Sequence, residues 1–175
     1  MFISREKYAF SKNKEFDEVI RFSSYGILLF LIPIFLSHQL LAGIIVNALL
    51  IRTALDHSLK KVAVLCLIPS LAVLFSGFIF GNLTSYLIYI LPFIWISNFI
   101  IAYVSKKLFV EQRKNYFFST SMATLAKTVF LFLCVIGLFL LGLVPILFLT
   151  AFGIIQLITA ESGALIIGFL KLRKH

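Results

Sequence analysis

Six long apolar stretches, separated by short polar or charged breaks, organise the chain. The pattern predicts spans over 20–36, 40–55, 62–80, 86–104, 117–141 and 146–170. A helix needs about 20 residues to cross a hydrocarbon core about 30 Å thick, and six such helices fit the length. The first two stretches are short, so one re-entrant hairpin across them is an alternative expectation. The breaks alternate in character. Ser37-His38-Gln39, 81–85 and 142–145 are short and uncharged turns, whereas 56–61 and 105–115 are charged. Pro33, Pro69 and Pro92 fall inside spans 1, 3 and 4, where proline bends a helix and frees backbone carbonyls. Residues 1–19 are polar and charged, and read either as a short interfacial helix or as a frayed tail.

Composition turns the pattern into a class. Mean hydropathy is +1.07 and 61% of residues are hydrophobic, against about 45–50% in soluble domains. This is an all-α integral membrane protein, expected to have one six-helix domain over 20–175 behind the 1–19 segment. No length remains for a nucleotide-binding domain, so any ATP drive comes from another chain. The formal charge of +9 would raise nucleic acid as a partner for a soluble protein. Here the basic residues have a simpler cause. Of 16 Lys and Arg, all but Lys127 lie at the two chain ends, at the span 2–3 junction (Arg52, Lys60, Lys61) or in the span 4–5 loop (Lys106, Lys107, Arg113, Lys114). Positive residues favour the cytoplasmic side, so both termini and both charged loops are expected inside a plasma membrane. The lipid bilayer is then the partner, and nucleic acid is excluded. No cleavable signal peptide is evident, because the first twenty residues lack a short apolar core.

Enzyme chemistry finds little support. His38, His57 and His175 are far apart and lack metal-ligand spacing. No phosphate loop and no recognisable Ser–His arrangement occurs, so no catalytic residue, metal or cofactor is assigned. Cys66 and Cys134 are expected about 18 Å apart along the membrane normal at 1.5 Å per residue, too far for a disulfide, and both read as packing residues.

The chemistry lies instead in polar groups deep in the spans. Counted from the cytoplasmic end, Asn47, Lys127 and Glu161 each lie about 14–15 Å deep at 1.5 Å per residue. Gln156 lies further out and Asn98 further in. Ionisable groups at that depth are costly and mark either a polar pocket or a paired structural contact. The structural alternative is interhelical hydrogen bonding with a buried Lys127–Glu161 ion pair. Gln156 and Glu161 are about 140° apart on their helix at 100° per residue, so both are buried only if span 6 is well surrounded. Trp95 is too deep for an interfacial belt and is either core or a pocket wall. His38, Gln39, Asn82, Tyr86 and Tyr89 lie toward the outer face, where they line a mouth or simply sit at the interface. Ala160, Ala164 and Gly168 on span 6, and Gly77 and Gly81 on span 3, have the four-residue spacing of close helix packing. No internal repeat of the inverted-transporter kind is visible.

Several segments taken together carry a family resemblance. They are Gln39-Leu40-Leu41-Ala42-Gly43 through Asn47-Ala48, Pro69-Ser70-Leu71-Ala72 with Gly77, Pro92-Phe93-Ile94 with Asn98, Ala126-Lys127 with Phe130-Leu131, and Gln156-Leu157-Ile158-Thr159-Ala160 with Gly163. In this order, across 39–163, they resemble a family of small six-span bacterial membrane proteins. Its members often carry the label "iron hydrogenase", which two cysteines contradict. That family is similar to the substrate-binding S components of energy-coupling factor transporters. The resemblance implies a six-helix bundle with both termini cytoplasmic, and a ligand, a vitamin or related micronutrient, captured from outside. It also implies a coupling membrane protein and ATPase subunits as partners, with Asn47, Asn98, Lys127 and Gln156 as the motif positions. Two features depart from that pattern. Span 1 offers Ser23, Ser24 and Gly26 in place of Ala-x-x-x-Ala, and the loop after it is only Ser37 to Gln39.

The sequence therefore supports an S-component-like receptor for a small molecule, with Lys127, Gln156, Asn98, Asn47, Trp95, His38 and Gln39 as ligand-site candidates. Its rivals are a self-sufficient proton-coupled transporter using Lys127 and Glu161, and a structural membrane subunit.

Overall fold

A computed structural model describes residues 2–36 and 38–172, with side chains described at 15–36 and 38–170. The side chains of Arg5, Lys7, Lys12 and Lys14, the turn residue Ser37, and the basic residues of the C-terminal end lie outside that description, as does His175. Among the described residues the fold is all-helical, and six helical segments are long and apolar enough to cross a membrane.

The first helix, α1 (Phe2–Phe35), is continuous through the polar segment expected to precede the first span. α2 (Gln39–Asp56) follows as a separate helix, and by length and apolarity it and α1 are each candidate spans. The third span is broken into α3 (Leu59–Leu65) and α4 (Ile68–Ser76). Pro69 explains the break: it lacks an N–H, and its ring clashes with the carbonyl four residues back. α4 also stops earlier than hydrophobicity predicts. Gly77 adopts φ +67 as a left-handed cap, which turns the chain so that Ile79 and Phe80 fold back toward the bundle. Gly77 and Gly81, read from sequence as a packing stripe, are therefore turn residues with positive φ.

A 3-10 turn over Gly81–Tyr86 leads into α5 (Leu87–Ser105). The following polar stretch, expected as a loop, continues as a wide helical turn through Glu111. α6 (Tyr116–Leu140) starts at Asn115, whose side chain accepts from the Phe117 and Phe118 backbone N–H groups. The last span is also broken, into α7 (Leu147–Phe152) and α8 (Ile154–Leu172), at Gly153. A Cβ there would stand 2.5 Å from the Leu149 carbonyl oxygen.

α2 is the centre of the bundle. It packs against α8 most extensively, and also against α5 and α1, while α6 lies between α5 and α8. The α2–α8 crossing is close because Gly163 presents no side chain: a Cβ there would lie 2.7 Å from Ala48 N and Ile44 O. Ala160 and Ala164 are buried in the same seam, and Gly168 meets the rings of Tyr116 and Phe117. Among the described residues the two halves of the chain pack differently. α1 packs on α4 without a comparable α5–α8 contact, and α2 packs on α8 without a comparable α4–α6 contact.

The two ends of the bundle differ in chemistry. At the basic end, Lys61 pairs with Glu18 at 2.8 Å and Arg52 with Asp56 at 2.9 Å. Lys106 donates to the Ala54 and His57 carbonyls at the C-terminal end of α2, where a cation suits the helix dipole. The opposite end is closed by apolar packing of Leu87, Val135, Val144, Phe148 and Phe152.

Candidate functional site

Three apolar clusters surround a polar centre formed by α2, α5 and α6. Lys127 projects from α6 and is only 2% exposed. Its Nζ donates to Asn47 Oδ1 at 2.5 Å and to Asn98 Oδ1 at 2.9 Å. Both asparagines are held with their oxygens toward it. Asn47 Nδ2 donates to the Gly43 carbonyl at 2.9 Å and to Thr159 Oγ1 at 3.4 Å. Asn98 Nδ2 donates to the Cys66 carbonyl at 3.0 Å. That carbonyl lies where Pro69 interrupts span 3, so the helix break supplies the acceptor that orients Asn98. A Lys ammonium has three donors and no acceptor, so these two bonds leave one N–H uncommitted.

Lys127, Asn47 and Asn98 line one wall of a cavity of about 110 Å³. Gln156, Gln39 and Ser70 complete its polar lining. Gln39 and Gln156 make no side-chain hydrogen bond within the described residues. The rest is apolar, from Pro33 and Ala42 on one side to Phe80 and Phe152 on another. A second cavity of about 270 Å³ shares Gln39, Ile79 and Phe80 with the first and is otherwise lined by Leu83, Leu147, Phe148 and their neighbours. Phe80 stacks on Phe148 and Phe152, at centroid distances of 5.3 and 6.0 Å, where the two cavities meet. The shared residues come from the α2 start and the turn after α4. The cavities therefore lie toward the end opposite Arg52, Lys61 and Lys106.

Of the sequence-derived candidates, Asn47, Asn98, Lys127, Gln156 and Gln39 converge on this cavity. Trp95 does not line it. Its Nε1–H donates to Ser70 Oγ at 2.8 Å, and Ser70 is the wall residue. His38 is exposed at the start of α2, with no place in the cavity wall. Tyr86, Tyr89 and Asn82 are also exposed rather than wall residues. The candidate Lys127–Glu161 ion pair is not formed. Glu161 accepts from Ser121 Oγ at 3.2 Å and from Thr124 Oγ1, on a part of the α6–α8 interface nearer the basic end. The reason is helical phase: Lys127 turns toward α2 and α5, whereas Ser121 and Thr124 turn toward α8.

Ser70, Thr159, Phe80 and Phe152 also belong to the site, although none stood among the ligand-site candidates of the sequence. Ser70 was visible only as the neighbour of a proline. Phe80 and Phe152 carry no signal among 20 phenylalanines.

The arrangement can bind and orient, since it combines a buried amine, fixed amide dipoles and apolar walls. Among the described residues no group of three His, Cys, Asp or Glu side chains is placed to hold a metal. Both cysteines are free. Comparison with family profiles, with curated proteins and with solved structures finds no match to this chain.

Proposed function

We propose that this chain is a substrate-binding membrane subunit resembling the S component of an energy-coupling factor transporter. In this reading it is a multi-pass protein of the cell membrane with both termini and both basic loops in the cytoplasm. It takes a small nutrient from outside, and ATPases on other chains drive uptake through a coupling membrane protein. The observation that carries the reading is the position of Lys127. It forms the wall of a cavity that lies toward the end of the bundle opposite Arg52, Lys61 and Lys106, and the distribution of Lys and Arg supports placing that end outside. Pockets with a few convergent polar groups on apolar walls are the usual form of small-molecule sites. The different packing of the two halves among the described residues weighs against an inverted-repeat transporter. The separation of Lys127 from Glu161 removes a direct proton exchange between them. On α1, Ser23 and Ser24 are exposed, whereas Gly26 faces Leu65 and Ile68 of the same chain. The small-residue face for a coupling protein is accordingly reduced to the two serines.

The test is a mild-detergent pull-down of the tagged chain from its native membrane, with mass spectrometry of what is retained. Recovery of one coupling membrane protein with its ATPases is the expected result. A chain recovered alone and stable removes the motor-dependent reading.

A further inference from the structure

The chemistry around Lys127 also bounds the class of ligand, given that the cavity is a ligand site as proposed above. The ammonium is buried, and its two protein partners are neutral amide oxygens. Among the described residues no carboxylate lies within ion-pair distance of it. Glu161, the acidic residue at similar depth, directs its oxygens to Ser121 and Thr124. A cation in a low-dielectric interior is strongly unfavourable without an opposite charge. Asn47 and Asn98 cannot supply one. They also cannot turn their amide N–H groups toward the cavity without giving up Gly43, Thr159 and Cys66. The fixed polar wall therefore presents an amine that gains from an anionic partner, with one donor uncommitted when it is charged, and nothing fixed that would repel an anion. Gln39 and Gln156, whose amides have no side-chain hydrogen bond among the described residues, can adapt to whatever else the ligand carries.

Size sets the second bound. A dry apolar cavity of about 150 Å³ holds a benzene ring. The cavity at Lys127 is about 110 Å³, and a second of about 270 Å³ adjoins it at Gln39, Ile79 and Phe80. Multi-ring molecules do not fit beside Lys127 with the Phe80–Phe148–Phe152 stack in place. We propose that the site takes a small monocarboxylate, of short-chain or single-ring size, whose single negative charge meets Lys127 and whose apolar part lies against Phe80 and Phe152. A dianion would leave one charge in the apolar part of the cavity, so it is selected against.

Trp95 is the sole tryptophan and is hydrogen-bonded to the wall residue Ser70, so its emission reports on the cavity. The test is a titration of the full-length chain in lipid nanodiscs, in chloride-free buffer, with propionate, pyruvate and benzoate. Propionamide, pyruvamide and benzamide serve as neutral isosteres, and succinate, oxaloacetate and phthalate as dianions. The expected result is a saturable change in Trp95 emission with at least one monocarboxylate. Its amide and its dianion counterpart should bind at least about tenfold more weakly. Lys127→Met should abolish the response and Lys127→Arg should retain part of it. The amide comparison needs no variant, so it decides the matter even if Lys127→Met does not fold. Equal binding of acid and amide, or no saturable response to any of the three acids up to about 10 mM (a free energy of only about 3 kcal/mol), overturns the proposal. If the pull-down recovers a motor while the acids fail to bind, the receptor reading stands and the monocarboxylate falls. If the acids bind and no motor is recovered, the monocarboxylate site stands and the receptor's dependence on a motor falls.

Discussion

Lys127 on α6 donates to Asn47 on α2 at 2.5 Å, across 80 residues of sequence. The bond is buried at both ends, and Asn98 on α5 shares the same ammonium. Three helices thus meet on one cation, and the neighbouring contacts become testable through it.

Removing either end of the bond should expose this dependence. Asn47→Ala leaves a buried ammonium with one partner fewer, and Lys127→Met leaves two buried amide oxygens without their donor. Each should destabilise the detergent-solubilised protein by about 1–3 kcal/mol. The double variant should cost little more than the worse single one, with a coupling energy of about 0.5–3 kcal/mol. Thermal unfolding of the four proteins of the cycle measures this, and simple additivity would show that the bond contributes nothing.

Gly163 controls the seam that places Asn47. A Cβ on Gly163 would meet the α2 backbone at 2.7 Å and Asn47 Cβ at 3.1 Å. Gly163→Ala should therefore force α2 away from α8 and cost about 1–3 kcal/mol. Because the displaced backbone carries Asn47, the Asn47–Lys127 coupling should also shrink in the Gly163→Ala background. An unchanged melting temperature would show that the helices separate freely.

Charge reversal separates the observed contacts from the ion pair considered from depth alone. Glu161 bonds to Ser121 and Thr124 rather than to Lys127. Lys127→Glu should therefore be poorly tolerated, and adding Glu161→Lys should not rescue it. Recovery of wild-type expression and melting in the swapped protein would establish that the two charges interact after all.

Two glycines should respond to alanine in opposite directions. Gly77 has φ +67, where an L-residue costs about 1–2 kcal/mol, so Gly77→Ala should lower stability. Gly137 lies inside α6, and its Cβ position has nothing within 4 Å. Gly137→Ala should raise stability by about 0.5–1 kcal/mol through helix propensity. The pair of melting curves checks both, and loss of stability at Gly137 would mean that its open face is needed by a neighbour.

What could be read from the chain alone follows from local physics. A membrane core demands long apolar helices with their backbone groups internally bonded, so six spans are legible from hydropathy without any knowledge of packing. The cost of a polar group in hydrocarbon likewise singled out Asn47, Asn98, Lys127 and Gln156 before any contact was known, and all four meet at one cavity. The breaks within spans were only half legible. Pro69 announces one, but Gly153 looks like any helix glycine until Leu149 and Phe132 are seen to occupy its Cβ space. Partner choice was not legible at all. Depth put Lys127 and Glu161 level with each other, but a helix also has a phase, and phase relative to neighbours is set by how the bundle closes. The close approach at Gly163 and the orientation of Asn98 by the Cys66 carbonyl decide that Lys127 meets two amides and a cavity. Depth is a property of one helix and can be counted along the sequence. Facing is a property of several helices together, and only the tertiary structure holds it.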